Sequence, residues 1–216
     1  MAFRDRKDAG RRLAGALAHL KDQRPVVLAL PRGGVLVAGE VAARLGAPLD
    51  LVLVRKIGVP RQPELAMGAV VEGTPPVVLR NKPVIERLRI SEREFEEVCA
   101  RERVDIERRR WAYLGGRPRI EVAGRVVVLV DDGIATGMTM RAAARATAVL
   151  APSRIVAAAP VAGADVAAEL RRAVDEVVCV EEHENLFAIG RHYADFSEVS
   201  DEAVREVLYR YAGLAA

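Results

Sequence analysis

Hydrophobic and polar positions along the chain form blocks that predict alternating helices and strands. Short aliphatic runs predict buried strands, and the amphipathic or Ala-rich runs between them predict helices. The predicted strands are Val26–Leu30, Leu49–Val54, Val126–Val130, Arg154–Ala159 and Glu176–Val180, with further extended pieces at Ala66–Val71 and Val77–Leu79. The predicted helices are Arg4–Leu20, Val35–Leu45, Met138–Leu150 and Ala164–Ala173. This order predicts an α/β fold, with a mainly parallel central sheet flanked by helices and ligand sites at the carboxyl ends of the strands.

The stretch from about 83 to 114 departs from this alternation. Its Glu and Arg residues recur at helical spacing, and its apolar residues are too sparse for a deeply buried helix. The pattern predicts a long exposed helix preceded by a short one, with Ser91 as N-cap and Glu94 completing a capping box. We therefore expect one domain over residues 1–216 with a helical insertion. The insertion could form a dimer contact, cover an active site or only add stability.

The most informative segment is VVVLVDDGIATGMTMR, residues 126–141. An apolar strand runs into Asp131 and Asp132 and then into a Gly/Thr turn before an Ala-rich helix. The N–H groups of residues 135–139 and the hydroxyls of Thr136 and Thr139 would converge at the positive end of the helix dipole, which favours a phosphate monoester. The two carboxylates suit a sugar diol or a hydrated magnesium ion. A structural turn or a Walker B strand is the alternative, but a Walker B strand needs a GxxxxGK[ST] partner, which the sequence lacks.

This segment resembles the signature of type I phosphoribosyltransferases, enzymes that use 5-phosphoribosyl-1-pyrophosphate (PRPP). The resemblance implies that Asp131 and Asp132 hold the ribose hydroxyls and that residues 135–139 wrap the 5-phosphate. It also implies Mg2+ as cofactor, with Asp131 and Asp132 reaching the ion through water or PRPP. The expected PRPP-binding residues are Asp131, Asp132, Gly133, Ile134, Ala135, Thr136, Gly137, Met138 and Thr139.

A second element follows the first apolar strand. Pro31, Arg32, Gly33 and Gly34 precede a helical stretch, and glycines there would let backbone amides approach an anion closely while Arg32 adds a permanent charge. Alone, this sequence fits a plain strand-to-helix turn about as well. In the family it corresponds to the loop that grips pyrophosphate, and the resemblance implies a cis peptide bond between Pro31 and Arg32.

A third element lies between the first two. The predicted strand Leu49–Val54 delivers Arg55 and Lys56 side by side. By resemblance this basic pair would neutralise the departing pyrophosphate, and a mobile loop over Ile57–Met67 would close over the reacting centre. The sequence VRKIGVPRQPE looks most like the adenine and orotate branches of the family. Glu64 is the carboxylate of this loop and a candidate acid, base or cation stabiliser. A basic pair that only solvates a strand end is the alternative.

The C-terminal stretch, about 181–216, is expected to form a small hood over the acceptor. Its candidate acceptor contacts are Phe187, His192, Tyr193 and Phe196, whose rings could stack on or hydrogen-bond a base or could pack the chain end. Ala135 stands where the 6-oxopurine branch of the family typically has an Asp. We therefore expect adenine, orotate, uracil or an acceptor outside the standard bases rather than hypoxanthine or guanine.

Composition limits the other possibilities. The 33 basic and 30 acidic residues give a net charge of +3, which is a small excess for a nucleic-acid binder. The sequence has no run of eighteen apolar residues and no apolar segment behind its basic N-terminus, so neither a membrane span nor a secretory signal is predicted. Cys99 and Cys179 form no metal or redox pattern. We expect reduced structural thiols in a cytoplasmic protein. The few Asn and Gln residues suggest a thermophile, although a GC-rich genome would bias composition in the same way.

These patterns converge on one function and one alternative. We expect a homodimeric phosphoribosyltransferase that transfers ribose 5-phosphate from PRPP to a nucleobase or related acceptor and releases pyrophosphate. The alternative is a regulator of the same fold that senses PRPP or a nucleotide without catalysis. A relative of PRPP synthetase is disfavoured, because that architecture is duplicated and no ATP-binding motif is visible.

Overall fold

The computed structural model describes residues 3–73, 75–184, 186 and 188–211. The strands are β1 Val26–Ala29, β2 Leu49–Leu51, β3 Val54–Val59, β4 Gln62–Val71, β5 Val77–Arg80, β6 Val126–Val130, β7 Arg154–Gly163 and β8 Glu176–His183. The α-helices are α1 Arg6–Ala16, α2 Gly33–Leu45, α3 Lys82–Leu88, α4 Glu92–Leu114, α5 Met138–Val149, α6 Ala164–Leu170 and α7 Asp201–Arg210. Two 3₁₀ helices lie in the described part of the chain, at Ala18–Gln23 and Ile189–His192.

The chain divides into two compact units. The first comprises Met1–Val52 and Arg117–Ala216, and the second comprises Leu53–Gly116. The helices predicted for the insertion, α3 and α4, make up the later part of the second unit. Among the described residues, no helix combines the length and the hydropathy needed to cross a membrane.

The first unit is built on a parallel sheet with strand order β2-β1-β6-β7-β8. Every neighbouring pair is parallel, for example Leu28 beside Leu129 and Val128 beside Val156. All residues of β1 and β6 are buried, because helices cover both faces of the sheet and a strand in such a position must be apolar throughout. The predicted α/β architecture with a mainly parallel central sheet is therefore confirmed.

The direction of strand succession reverses between β1 and β6. The chain passes from β1 through α2 to β2 on one side, and from β6 through α5, β7 and α6 to β8 on the other. Right-handed crossovers then put α2 on one face of the sheet and α5 and α6 on the opposite face. Helix α1 packs along α2, so closely that a Cβ on Gly10 would lie 2.8 Å from the Val37 carbonyl oxygen. The connections that follow β1 and β6 leave toward opposite faces of the sheet at this switch point, where α/β sheets bind their ligands.

The second unit is an antiparallel sheet, β3-β4-β5, with α4 packed on it. Phe95, Val98 and Ile106 of α4 are buried, so the helix predicted to be exposed has one apolar face against the sheet. A buried ion pair between Arg110 and Glu72, with Nη1 and Oε2 3.1 Å apart, joins α4 to the residue that follows β4.

Local predictions in the second unit were partly right. The capping box of α4 is confirmed: Ser91 Oγ accepts from the Glu94 N–H at 3.3 Å, and Glu94 Oε2 accepts from the Ser91 N–H at 2.9 Å. The predicted strand Leu49–Val54 is wrong as one element, because the chain leaves the parallel sheet after Leu51 and enters the antiparallel sheet at Val54. The predicted loop Ile57–Met67 is instead part of the β3–β4 hairpin, which turns at residues 60–61.

The element boundaries differ elsewhere in the first unit. The predicted helix Arg4–Leu20 is α1 followed by a 3₁₀ helix, and β7 and β8 run longer than predicted. Helix α7, absent from the predicted elements, lies within the expected hood. It packs on α2, and beside its end the Tyr211 hydroxyl donates to the Gly39 carbonyl at 2.6 Å.

Candidate active site

Two turns meet at the switch point of the parallel sheet: the PRGG turn, residues Pro31 to Gly34, and the acid turn, Asp131 and Asp132. The Leu30 N–H donates to the Val130 carbonyl at 2.9 Å, which ties the two strand ends together. A Cβ on Gly34 would lie 2.8 Å from that same carbonyl oxygen, and one on Gly33 would overlap the Asp132 carboxylate. Both glycines are therefore required by close packing of the start of α2 against the acids. The Pro31–Arg32 peptide bond is cis, as the family resemblance implied.

The Gly/Thr turn forms an open cradle at the start of α5. It is anchored to β7 on both sides, because the Ile134 N–H donates to Val161 at 2.9 Å and the Gly163 N–H donates to Ile134 at 3.1 Å. Gly137 caps α5 in the left-handed region, with φ of 67°. The first-turn N–H groups have no helical carbonyl to bond and point out of the helix. A cavity of about 170 Å³ lies against them, lined by Asp131, Gly133, Ile134, Ala135, Thr136, Gly137, Met138, Thr139, Met140 and Ile189.

Arg141 holds this cradle from its helical side. Its Nη2 donates to the Thr136 carbonyl at 2.9 Å, and its Nη1 donates to Glu169 at 3.0 Å. The guanidinium thus fixes the turn by a charge-assisted bond to its backbone. Arg141 was not among the predicted site residues, although an Arg in the first turn of an Ala-rich helix after a Gly/Thr turn is a usable signal.

Asp132 is held by the guanidinium of Arg6, which lies near the N-terminus. Its Oδ2 accepts from Arg6 Nε at 2.7 Å, and the two side chains are 17% and 10% exposed. Arg6 is fixed in turn, since its Nη1 donates to the Ser197 carbonyl at 2.8 Å and its Cζ lies 3.8 Å from the centre of the Phe196 ring. Arg6 could not be predicted as part of this site, because 126 residues separate it from its partner and no local pattern marks it.

Asp131 lines the cavity and, in the described part of the chain, makes no ion pair. Its Oδ1 accepts from the Asp132 N–H at 2.8 Å. Burial, followed by the neighbouring Asp132 carboxylate, raises the pKa of Asp131 well above its ordinary value. Burial and a like charge both disfavour the ionised form. The two acids therefore differ. The charge of Asp132 is balanced by Arg6, whereas the charge of Asp131 would be balanced only by a bound ligand or cation.

The expected acceptor contacts occupy different environments. Tyr193 is 6% exposed, its hydroxyl donates to the Asp132 carbonyl at 2.6 Å, and its ring packs between Phe3 and Phe196. Burial and the nearby Asp132 raise the pKa of Tyr193, so the phenol keeps the proton that it donates. Its role as a base contact stays a prediction, and the contacts that the structure describes are ones that support the acid turn. Phe196 packs between Tyr193 and Arg6.

The remaining hood candidates are His192 and Phe187. Phe187 lies outside the described residues. His192 is next to His183, with ring centres 4.3 Å apart, and burial followed by the His183 charge lowers the pKa of His192. Ile189 was not among the predicted site residues, yet it lines the cavity at the phosphate cradle. It packs so tightly over Gly133 that a Cβ on that glycine would overlap it.

Arg55, Lys56 and Glu64 come together in the second unit, where they line a cavity of about 500 Å³. Arg55 Nε lies 2.9 Å from Glu102 Oε2 and 3.1 Å from an Asp105 oxygen, so its charge is balanced by α4. Lys56 Nζ is 3.2 Å from Glu64 Oε2 across the β3–β4 hairpin, and the Glu64 side chain is 98% exposed. Such an exposed pair is weak and free to rearrange.

Comparison with known proteins agrees with this geometry. The sequence profile of the phosphoribosyl transferase domain matches residues 4–195. The chain belongs to the phosphoribosyltransferase family. Two Mycobacterium tuberculosis relatives, from strains CDC 1551 / Oshkosh and ATCC 25618 / H37Rv, are provisionally named phosphoribosyl transferases and are each 43% identical over 208 residues. The match covers 96% of this chain and 46% of theirs, so the chain spans about half the length of these curated relatives.

A solved structure is similar to nearly the whole of this chain. The crystal structure of TT1426 from Thermus thermophilus is 45% identical in sequence, with a TM-score of 0.85. The superposition covers 99% of this chain and 100% of that chain. The fold described above therefore has a counterpart among solved structures.

Proposed function

We propose that this phosphoribosyltransferase transfers ribose 5-phosphate from PRPP to a nucleobase or related acceptor and releases pyrophosphate. The observation that carries the proposal is the meeting of the PRGG turn, the two acids and the Gly/Thr cradle at the switch point of one sheet. An anion cradle beside paired carboxylates suits a ribose that carries a phosphate at one end and hydroxyls at the other.

Each part of the first unit has a role in this proposal. The first-turn N–H groups of α5, with Thr136 and Thr139, would bind the 5-phosphate. Asp131 and Asp132 would accept hydrogen bonds from the ribose hydroxyls, and the backbone at Gly33 and Gly34 would bind pyrophosphate. Charge-assisted bonds of this kind contribute about 1.5 to 3 kcal/mol each. Arg6 acts as a positioning residue, because it fixes the orientation of the Asp132 carboxylate.

The donor atoms at the acid turn fit Mg2+, which prefers oxygen ligands and keeps several waters. Asp132 gives one carboxylate oxygen to Arg6, and Asp131 gives one to the Asp132 N–H, so each acid keeps an oxygen for the ion, directly or through water and PRPP. The ion would supply positive charge that neutralises the pyrophosphate. The protein's own contribution is to hold two hard oxygen donors beside the PRGG backbone.

We assign the basic pair to the chemical step. Arg55 and Lys56 would neutralise the departing pyrophosphate, and Glu64 would serve as an acid, a base or a stabiliser of cationic charge. The ribose becomes oxocarbenium-like as its bond to pyrophosphate breaks, and water would capture it in an open site. We therefore propose that the hairpin residues 57–67 are mobile in the free enzyme and close over bound PRPP and acceptor.

The acceptor is proposed from one position in the cradle. Ala135 cannot exchange a proton with a purine, so we expect adenine, orotate, uracil or a non-standard acceptor. The test is to incubate the protein with PRPP and Mg2+ against these bases, with hypoxanthine and guanine alongside, and to measure pyrophosphate release. Release with one acceptor class supports the enzyme. PRPP binding with no release for any acceptor would replace it with the PRPP-sensing regulator. Size measurement in solution tests the expected homodimer.

A further inference from the structure

A cluster of metal-ligating side chains lies at the carboxyl end of β8, and of its members only His192 was given a role above, as a candidate acceptor contact. Among the described residues, Glu181, His183 and His192 form the one group of three such side chains whose ligand atoms all lie within 4.8 Å of one another. Glu181 Oε2 is 3.3 Å from His183 Nε2 and 3.9 Å from His192 Nδ1. The three side chains are 20% to 40% exposed, so an ion could reach them from solvent.

The distances match a shared ion. Metal–ligand bonds of about 2.0 to 2.2 Å place tetrahedral ligand atoms about 3.4 Å apart, and wider angles extend this to about 4 Å. Both measured separations from Glu181 Oε2 fall in this range. The two imidazole rings are neighbours tilted by 47°, so small rotations could direct both nitrogens to one point. Two imidazoles and a carboxylate are ligands typical of zinc and similar transition metals, not of magnesium.

The cluster joins two segments of the chain. Glu181 and His183 belong to β8, whereas His192 ends the 3₁₀ helix Ile189–His192. His183 pairs in register with Gly163, whose N–H donates to the Ile134 carbonyl of the phosphate cradle. At the other end of the same 3₁₀ helix, Ile189 packs over Gly133 and lines the cradle cavity.

We propose that Glu181, His183 and His192 bind one transition-metal ion of the zinc class. The ion ties the end of β8 to the 3₁₀ helix and leaves its remaining coordination positions to water. Because the 3₁₀ helix is only one turn long, fixing His192 also fixes Ile189 against Gly133. Metal binding therefore steadies one wall of the phosphate cavity. This last consequence rests on the proposed function, whereas the metal site does not.

The direct test is metal binding to the untagged, full-length protein after treatment with a chelator. We expect one Zn2+ per chain by titration calorimetry, a rise in Tm with Zn2+ and, with Co2+ as a spectroscopic probe, visible absorption bands of a nitrogen- and oxygen-ligated ion. His183→Ala, His192→Ala and Glu181→Gln should each weaken Zn2+ binding by about tenfold or more. The matched control is His19→Ala, which removes the one histidine outside the cluster and should leave Zn2+ binding unchanged.

Melting of each variant in chelator checks that it folds. Folded cluster variants that bind Zn2+ like the wild type, or a wild type that shows neither saturable Zn2+ binding nor Co2+ bands, would overturn the proposal and leave a hydrogen-bonded cluster. If a variant fails to fold, the wild-type Co2+ spectrum and the His19→Ala control still decide. A site that used His19 in place of the cluster would make His19→Ala weaken Zn2+ binding.

PRPP titrations with and without Zn2+ test the link to the cavity. Tighter PRPP binding with Zn2+ in the wild type but not in His192→Ala supports the link. Equal PRPP affinity in both conditions overturns it and leaves the metal site intact. If PRPP binds in neither condition while Zn2+ does, the proposed function has failed and the metal site stands.

Discussion

Replacing the two adjacent acids one at a time should separate binding from stability. On sequence alone, two neighbouring carboxylates repel each other, and removing either charge would be expected to change stability little. The structure makes them unequal. Asp132 carries the ion pair with Arg6, 2.7 Å long and largely buried, whereas Asp131 lines the cavity and has its pKa raised by burial and by Asp132.

The expected magnitudes follow from these contacts. Asp132→Asn keeps an oxygen that can accept from Arg6, but the Arg6 charge is then unbalanced in a largely buried place. This lowers the free energy of unfolding by about 1 to 2 kcal/mol. For a chain of this size that lowers Tm by about 2 to 8 °C. Asp131→Asn removes a charge that the empty site disfavours, so Tm should stay the same or rise. Each variant should bind PRPP about ten- to hundredfold more weakly, because each loses a charge-assisted bond.

The assay is a melting curve for each variant without ligand, followed by PRPP titration with Mg2+ on the folded protein. The reasoning about Arg6 would be refuted if Asp131→Asn lowered Tm as much as Asp132→Asn. The assignment of these acids to ribose would be refuted if PRPP affinity were unchanged in Asp131→Asn. Melting the double variant adds a check, since two contacting residues should give a non-additive result.

Further expectations can be tested alongside. Gly34→Ala should lower stability by about 1 to 3 kcal/mol, because the added Cβ would meet the β6 backbone. Gly15→Ala has open space around it in α1 and should be neutral or stabilising by about 0.5 to 1 kcal/mol. Thermal melts compare the two variants. Lys56→Ala and Arg55→Ala should reduce turnover while PRPP binding persists, and unchanged pyrophosphate release would exclude their catalytic role. Ser91→Ala removes the capping box of α4 and should cost about 1 kcal/mol in denaturant unfolding, with no change in PRPP affinity.

Features decided within a few residues could be predicted from the sequence. The aliphatic run Val126–Val130 is buried on both faces, and the Ser91 capping box forms as its spacing indicates. The Gly/Thr turn precedes α5 as expected, because Gly137 supplies a left-handed cap that other residues rarely adopt. Each of these signals depends on local backbone geometry, which the sequence records directly.

The hairpin could not be predicted in the same way. The run Leu49–Val54 contains no Gly or Pro, yet it spans two sheets, and periodicity cannot show that a chain leaves one sheet for another. The loop over Ile57–Met67 was expected from the family resemblance. In the structure Pro63 lies in β4, in a hairpin with irregular register near Gly58, a setting in which proline is tolerated.

Long-range partners were also invisible in the sequence. Arg6 reaches Asp132 across 126 positions, and the Tyr193 hydroxyl donates to the Asp132 carbonyl of the same turn. Neither pairing has a local pattern, because each depends on how α1 and the hood residues fold onto the sheet. Only the three-dimensional arrangement shows that these side chains serve the acids.

The contacts divide the proposed chemistry between a preformed part and an adaptable part. The acid turn is fixed before any ligand binds, by Arg6 on the Asp132 carboxylate, by Tyr193 on its carbonyl and by Gly34 against β6. A preformed site spends little binding energy on ordering, so changes there should appear mainly in PRPP affinity. Lys56 and Glu64, by contrast, form an exposed pair on a hairpin that can rearrange cheaply when pyrophosphate develops charge. Changes in that pair should therefore appear in the rate of transfer rather than in binding, a split that measured kcat and PRPP affinity would reveal.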